Sequence, residues 1–167
     1  YHVVSLNALA AASPRKVVAL CVADRARWWR GSISATPQFD VEVLFPGTIE
    51  DYAPSRISAR VTEWFDRNRP HSALLDYSSA WQRRAAARAN QLGTACILKS
   101  DRTAAEPRKW IVEVFKSYLL RRYQTALVAG PLQREYLVNL GFPRDRVHDG
   151  LYVVDTDMFE QQSALIR

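Results

Sequence analysis

Three short loops carry side chains that could do chemistry. The first, Lys99-Ser100-Asp101-Arg102-Thr103, sets a carboxylate between two cations at the end of an apolar run. There a sugar hydroxyl can donate to Asp101 while a phosphate meets Lys99 or Arg102; a solvated turn with a local ion pair fits the same residues. The second, Tyr77-Ser78-Ser79, stands before a helical pattern that starts at Ala80. Ser78 or Ser79 is placed to cap that helix, and a capping serine beside free backbone donors also suits an anion or a sugar hydroxyl. The third, Gly130-Pro131-Leu132-Gln133, puts Gly130 between a strand and a helix, where the missing side chain lets backbone approach a ligand closely.

Other chemistry finds little footing. His2, His71 and His148 lie far apart and show no ligand spacing such as His-Glu-x-x-His, so no metal site is expected. Gly-x-Gly-x-x-Gly, Walker A and Gly-x-Ser-x-Gly patterns are missing from the sequence. That removes the usual sequence grounds for a dinucleotide enzyme, an NTPase or an α/β-hydrolase, and no bound cofactor is expected.

The elements that must position these loops alternate between apolar runs and amphipathic stretches. Residues 2 to 12 read as a helix ending near Ser13-Pro14, and Lys16 to Ala23 as a strand. Phe39 to Phe45 reads as a second strand closed by Pro46-Gly47. From Pro54 to Asn68 the residues Ile57, Val61, Trp64 and Phe65 recur at i, i+4, i+7 and i+8, the mark of a helix lying on a core. Ser72 to Asp76 is a strand, and Ala80 to Leu92 a helix with Trp81, Ala85, Ala89 and Leu92 inward and Gly93 as its stop. A strand at Thr94 to Lys99, a helix from Pro107 to Arg122, a strand at Gln124 to Ala129 and a helix from Leu132 to Leu140 follow, with a short strand-like piece from Val147. Short apolar strands alternating with amphipathic helices predict a doubly wound, Rossmann-like α/β domain with a parallel sheet covered on both faces. Because the chain opens on a helix, a first strand is expected to be missing.

The helix from Pro107 to Arg122 collects Trp110, Ile111, Val114, Phe115, Tyr118 and Leu119 on one side and Lys109, Glu113 and Lys116 on the other. A core-packing helix has that pattern, and so does a basic amphipathic helix resting on an anionic membrane.

The chain's 167 residues, 48% hydrophobic and 24% charged, suit one globular domain. No apolar run approaches the roughly 20 residues a bilayer span needs, and the first residues do not look like a signal peptide. A cytoplasmic protein is expected, with Cys21 and Cys96 as buried free thiols in a reducing compartment. The net charge of +6, carried by 19 Arg and 4 Lys against 17 acids, favours anionic partners without choosing among them.

The last third resembles a known family. AlaLeuValAlaGlyProLeuGlnArgGluTyrLeuValAsnLeuGlyPheProArgAspArgVal (126 to 147), then TyrValValAspThrAspMetPhe (152 to 159), is similar to the N-terminal domain of family 4 (group 1) glycosyltransferases of the GT-B fold. Upstream, residues 1 to 9 look like the family's first helix, and ArgProHisSerAlaLeuLeuAspTyrSerSer (69 to 79) like its "Arg-Pro-Asp" strand, with His71 where aspartate is commoner. LysSerAspArgThr (99 to 103) sits where the family places an acceptor-side loop.

The resemblance implies a transferase that moves a sugar from a nucleotide sugar to a glycan or lipid-linked acceptor with retention of configuration. Residues 1–158 would be the acceptor-binding half and 159–167 the start of the linker to a second, donor-binding domain. By position Tyr1, His2, Tyr77, Ser78, Lys99, Ser100 and Arg102 would contact the acceptor, Gly130 would line the cleft, and Asp101 would orient or deprotonate the acceptor hydroxyl. Such an enzyme works in the cytoplasm at the inner face of the membrane, with peripheral membrane contact and without nucleic acid as a partner. Two other readings compete. The charge and the segment Arg25 to Arg30, with Trp28 and Trp29, suit a free-standing module for phosphorylated ligands or nucleic acid. A nucleotide-sugar epimerase also uses Rossmann-like halves, but the valine-aspartate segment leading to Phe159 favours the transferase.

Overall fold

Helix α1, His2–Ala12, ends as Ser13 N–H donates to the Leu9 carbonyl at 2.9 Å and Pro14 prevents a further turn. The computed structural model describes residues 2–25, 37–104, 109–151 and Ala164. The chain divides into two units, Tyr1–Tyr52 with Tyr152–Arg167, and Ala53–Leu151.

In the first unit strands β1 (Val18–Arg25) and β2 (Asp40–Thr48) pair in parallel, in register from Val18 opposite Asp40 to Ala23 opposite Phe45. The sequence reading ended the second strand at Pro46-Gly47, but pairing resumes beyond it, with Arg25 opposite Thr48. The irregularity absorbs the proline, which has no N–H for the ladder, and Gly47 takes φ +79. Gly47 N–H is satisfied instead by Asp24 Oδ2 at 3.1 Å. A proline in a strand marks a bulge as readily as an end.

The second unit is built around a four-stranded parallel sheet in the order β3 (Ser72–Leu75), β4 (Ala95–Ser100), β5 (Thr125–Val128), β6 (Val147–Asp149). Helix α2 (Pro54–Asn68) has proline in its first turn and buries Ile57, Val61, Trp64 and Phe65, the stripe its spacing predicts. Helix α3 (Ala80–Gln91) packs against α2, β3 and β4 through Ala85, Ala86 and Ala89. Trp81 and Leu92 are only half-buried, so the inner stripe of α3 is narrower and smaller than the sequence reading gave it. Alanines let the helix approach the sheet closely. Helix α5 (Pro131–Asn139) packs on β5 and β6.

Along β4 burial alternates: Cys96, Leu98 and Ser100 are buried, while Ala95, Ile97 and Lys99 are half-buried. Ala126 and Val128 of β5 continue the buried face with no measurable exposure. The fold class read from the sequence, a Rossmann-like α/β protein with parallel strands, is the one observed. Cys21 and Cys96 are both free; Cys96 is buried as expected, which pushes its thiol up to about 11, whereas Cys21 is only half-buried.

Helix α4 (Trp110–Leu120) departs from expectation. The core-packing orientation would turn its aromatic stripe inward, yet Trp110, Ile111, Val114, Phe115 and Tyr118 are all more than half exposed. Lys116 is buried with Leu119 and Leu120. The lysine is tolerated because Glu113 and Tyr136 neutralise and solvate it, as described below.

Candidate functional site

The turn after β3 is organised by one carboxylate. Asp76 Oδ1 accepts from the backbone N–H groups of Tyr77 and Ser78, and Asp76 Oδ2 accepts from Ser78 Oγ at 2.9 Å. This Asx-type turn spends the charge of Asp76 on its own backbone. The next residue caps α3: Ser79 Oγ accepts from Gln82 N–H at 3.2 Å, and Gln82 Oε1 accepts from Ser79 N–H at 3.2 Å. Of the two serines the sequence offered, Ser79 therefore makes the reciprocal capping box. Ser78 is exposed and faces a cleft.

That cleft, about 340 Å³ in volume, lies beyond the carboxyl ends of β3 and β4, where parallel sheets present ligand sites. Tyr77 and Ser78 come from the β3 turn, Arg83 from the first turns of α3, and Arg102 from the loop after β4. Val112, Phe115, Lys116 and Leu119 of α4 form the opposite wall. Among the described residues that line it are three cations and no carboxylate.

Each cation is held differently. Arg83 Nη1 donates to the carbonyls of Tyr77 and Ser78 at 2.9 and 3.0 Å, so its guanidinium is fixed against the turn. Lys116 Nζ donates to Glu113 Oε1 at 2.8 Å and to Tyr136 Oη at 2.6 Å, while Tyr136 Oη donates to Glu113 Oε2 at 2.8 Å. Arg102 stands nearer to water, its side chain 47% exposed and its Nε 3.9 Å from Asp101 Oδ1. An exposed pair at that separation binds weakly, which leaves the guanidinium able to turn toward an anion.

Tyr77 is 7% exposed, and its buried Oη lacks a hydrogen-bond partner among the described residues. An orphaned buried hydroxyl costs of the order of 1–3 kcal/mol, so its persistence calls for an explanation. Burial raises the Tyr77 phenol above its ordinary range, with the positive charges of Lys116 and Arg102 opposing the rise. The hydroxyl stays protonated near neutrality and keeps both donor and acceptor capacity.

Of the residues singled out in the sequence, the cleft thus brings together Tyr77, Ser78 and Arg102. Lys99 lies half-buried on β4, and Ser100 is buried with Oγ accepting from Arg102 N–H at 3.4 Å; neither lines the cleft. Asp101 is exposed beside Arg102 and also stands outside the lining. Gly130 is the N-cap of α5, with extended backbone; a Cβ there would meet only Gln133 Oε1 at 3.7 Å, so nothing in its surroundings demands a glycine. His2 opens α1 in the first unit. Tyr1, Trp28, Trp29, the segment from Tyr152 to Phe159 and the linker residues up to Arg167, Ala164 apart, lie outside the described residues. Sequence reasoning missed Arg83 and Lys116. The signal for the second was present: Val112, Phe115, Lys116 and Leu119 recur at i, i+3, i+4 and i+7, a face that adjoins the aromatic stripe at Phe115.

Among the described residues no group of three or more His, Cys, Asp or Glu is placed to hold a metal ion, and no helix is long and apolar enough to cross a membrane. Fold and site together define a class: a parallel α/β protein with a cationic, partly apolar cleft at the strand carboxyl ends. No protein-family model matches the chain, and no curated protein matches it.

Proposed function

We propose that the chain is the acceptor-side domain of a GT-B-fold glycosyltransferase of the family 4 type, moving a sugar from a nucleotide sugar to a glycan or lipid-linked acceptor. One observation supports this reading most. The strand-end residues that the resemblance assigns to the acceptor, Tyr77, Ser78 and Arg102, converge on a single cleft although they come from loops more than twenty residues apart.

In this reading the exposed Ser78 Oγ meets an acceptor hydroxyl, and Arg83 and Arg102 meet an anionic group on the acceptor. A second domain holds the nucleotide sugar, and transfer takes place between the two. The carboxylate closest in sequence to the cleft cations is Asp101, and its proposed part is to orient or deprotonate the acceptor hydroxyl. In the complete enzyme Asp101→Ala is expected to lower turnover of the nucleotide sugar by about a hundredfold or more, the usual size of a lost general base. Unchanged kinetics would remove Asp101 from the mechanism. Failure of the wild-type enzyme to consume any nucleotide sugar in the presence of candidate acceptors would overturn the reading itself.

A further inference from the structure

Helix α4 turns an apolar face to solvent. Trp110, Ile111, Val114, Phe115 and Tyr118 follow the i, i+1, i+4, i+5, i+8 spacing of one helical face, and their exposures run from 53% to 75%. The opposite face holds the buried Lys116, Leu119 and Leu120. A monomeric surface rarely leaves so continuous an apolar stripe uncovered.

Three features of the stripe point to a second copy of the same helix as its cover. The first is symmetry: Trp110 precedes Val114 by four residues and Tyr118 follows it by four. Two copies laid antiparallel about a two-fold axis at Val114 set each Trp110 against the partner's Tyr118, with the two Val114 side chains meeting at the centre. The second feature is charge. Along Trp110–Leu120 the charged residues are Glu113 and Lys116, and they pair with each other at 2.8 Å. Two copies therefore meet without burying an unpaired charge, whereas a helix that rests on a membrane carries cations along its polar face. Lys109 and Arg121 stand exposed at the ends of the stripe, where water and salt screen the like charges of the other copy. An aromatic centre with charges only at its rim is the anatomy of a protein interface.

The third feature is size. Trp110, Phe115 and Tyr118 are 75%, 53% and 58% exposed; at about 150–250 Å² for each aromatic side chain they leave on the order of 350 Å² uncovered. Ile111, Val112 and Val114, also exposed, carry the patch toward the roughly 800 Å² per partner of a stable interface.

We propose that α4 is a self-association surface through which two copies of the chain pair antiparallel about Val114. Phe115 also lines the cleft, so the partner lies along the α4 rim of that site. The inference does not rest on the transferase reading, because association requires neither donor nor turnover.

The test is sedimentation equilibrium of the full chain at concentrations spanning a dissociation constant on the order of 10 μM, the affinity of a small interface. The mass is expected to rise from 19.0 kDa to about twice that as concentration increases. Added salt should leave the association as tight or tighter, the reverse of lipid binding driven by cations. Val114→Glu sets two carboxylates against each other on the axis and is expected to weaken association about a hundredfold or more. Trp110→Ser is expected to weaken it about tenfold or more, because the lost burial counts twice in a two-fold interface. Circular dichroism checks that both variants stay folded. Val114→Cys keeps a small apolar side chain and is expected to form a disulfide-linked dimer under mild oxidation, while Glu63→Cys, at an exposed position of α2, is not. A mass that stays at 19.0 kDa at every concentration, with or without binding to lipid vesicles, would overturn the proposal. So would a dimer that Val114→Glu leaves intact, or one that cross-links no faster in Val114→Cys than in Glu63→Cys.

Discussion

Leu98→Ala should cost the second unit about 3 kcal/mol or more, read as a lower urea midpoint with an unchanged denaturant slope. Leu98 has no measurable exposure and lies on β4, which is paired on one side with β3 and on the other with β5. Around it the buried side chains are small or already packed: Cys96 on its own strand, Ala126 and Val128 on the next, and Ala85, Ala86 and Ala89 from α3. Alanines cannot swing in to refill a lost isobutyl group, so most of the cavity would remain. Domains of this size are stable by only about 5–15 kcal/mol, and one such change removes a large share of that. Leu132→Ala on α5 is the control; its side chain is 73% exposed, and its effect should stay within about 0.5 kcal/mol. A loss below about 1 kcal/mol for Leu98→Ala would mean that the sheet is not packed as described.

The second large effect concerns the charge cluster behind the cleft. Glu113→Ala should cost about 2–3 kcal/mol, because among the described residues it leaves the Lys116 ammonium hydrogen-bonded only to the Tyr136 hydroxyl. The figure lies below the 3–5 kcal/mol of a fully buried pair because the Lys116 and Glu113 side chains retain 11% and 27% exposure. Replacing both partners together, Lys116→Met with Glu113→Leu, should cost less than Glu113→Ala alone, since no charge is then left without its counterion. If the single substitution were the milder of the two, the triad would not be the reason a lysine is tolerated inside. The same cluster fixes the position of Lys116 at the cleft wall, so Glu113 acts there as a positioning residue.

How far the sequence foretells this arrangement depends on the kind of information each residue carries. Helix α2 is legible to its ends because Pro54 marks its start, and Ile57, Val61, Trp64 and Phe65 leave one choice of inner face. Strand β2 is legible only in part. Pro46-Gly47 reads as a terminator, and the backbone instead uses it as a bulge once Asp24 takes the Gly47 N–H. In α4 periodicity defines two faces but not which one turns inward. The inward face carries a lysine that Tyr136, a residue from another helix, helps make acceptable. The cleft follows the same division. Tyr77, Ser78 and Arg102 stand at strand ends, where topology concentrates ligand contacts, and so could be named. Arg83 and Lys116 lie within helices, where a cation ordinarily belongs to a solvated face, and only the tertiary structure turns them toward the same space.

The proposal that the strand-end cleft is an acceptor site is tested most directly by steady-state kinetics, wild type against Arg102→Ala, with acceptor concentration varied at saturating nucleotide sugar. The expected result is an acceptor KM raised about tenfold or more, the loss of one charged hydrogen bond, with a much smaller change in kcat. An Arg102→Ala enzyme with the wild-type acceptor KM, or a wild-type enzyme that releases no nucleoside diphosphate from any nucleotide sugar, would contradict the account.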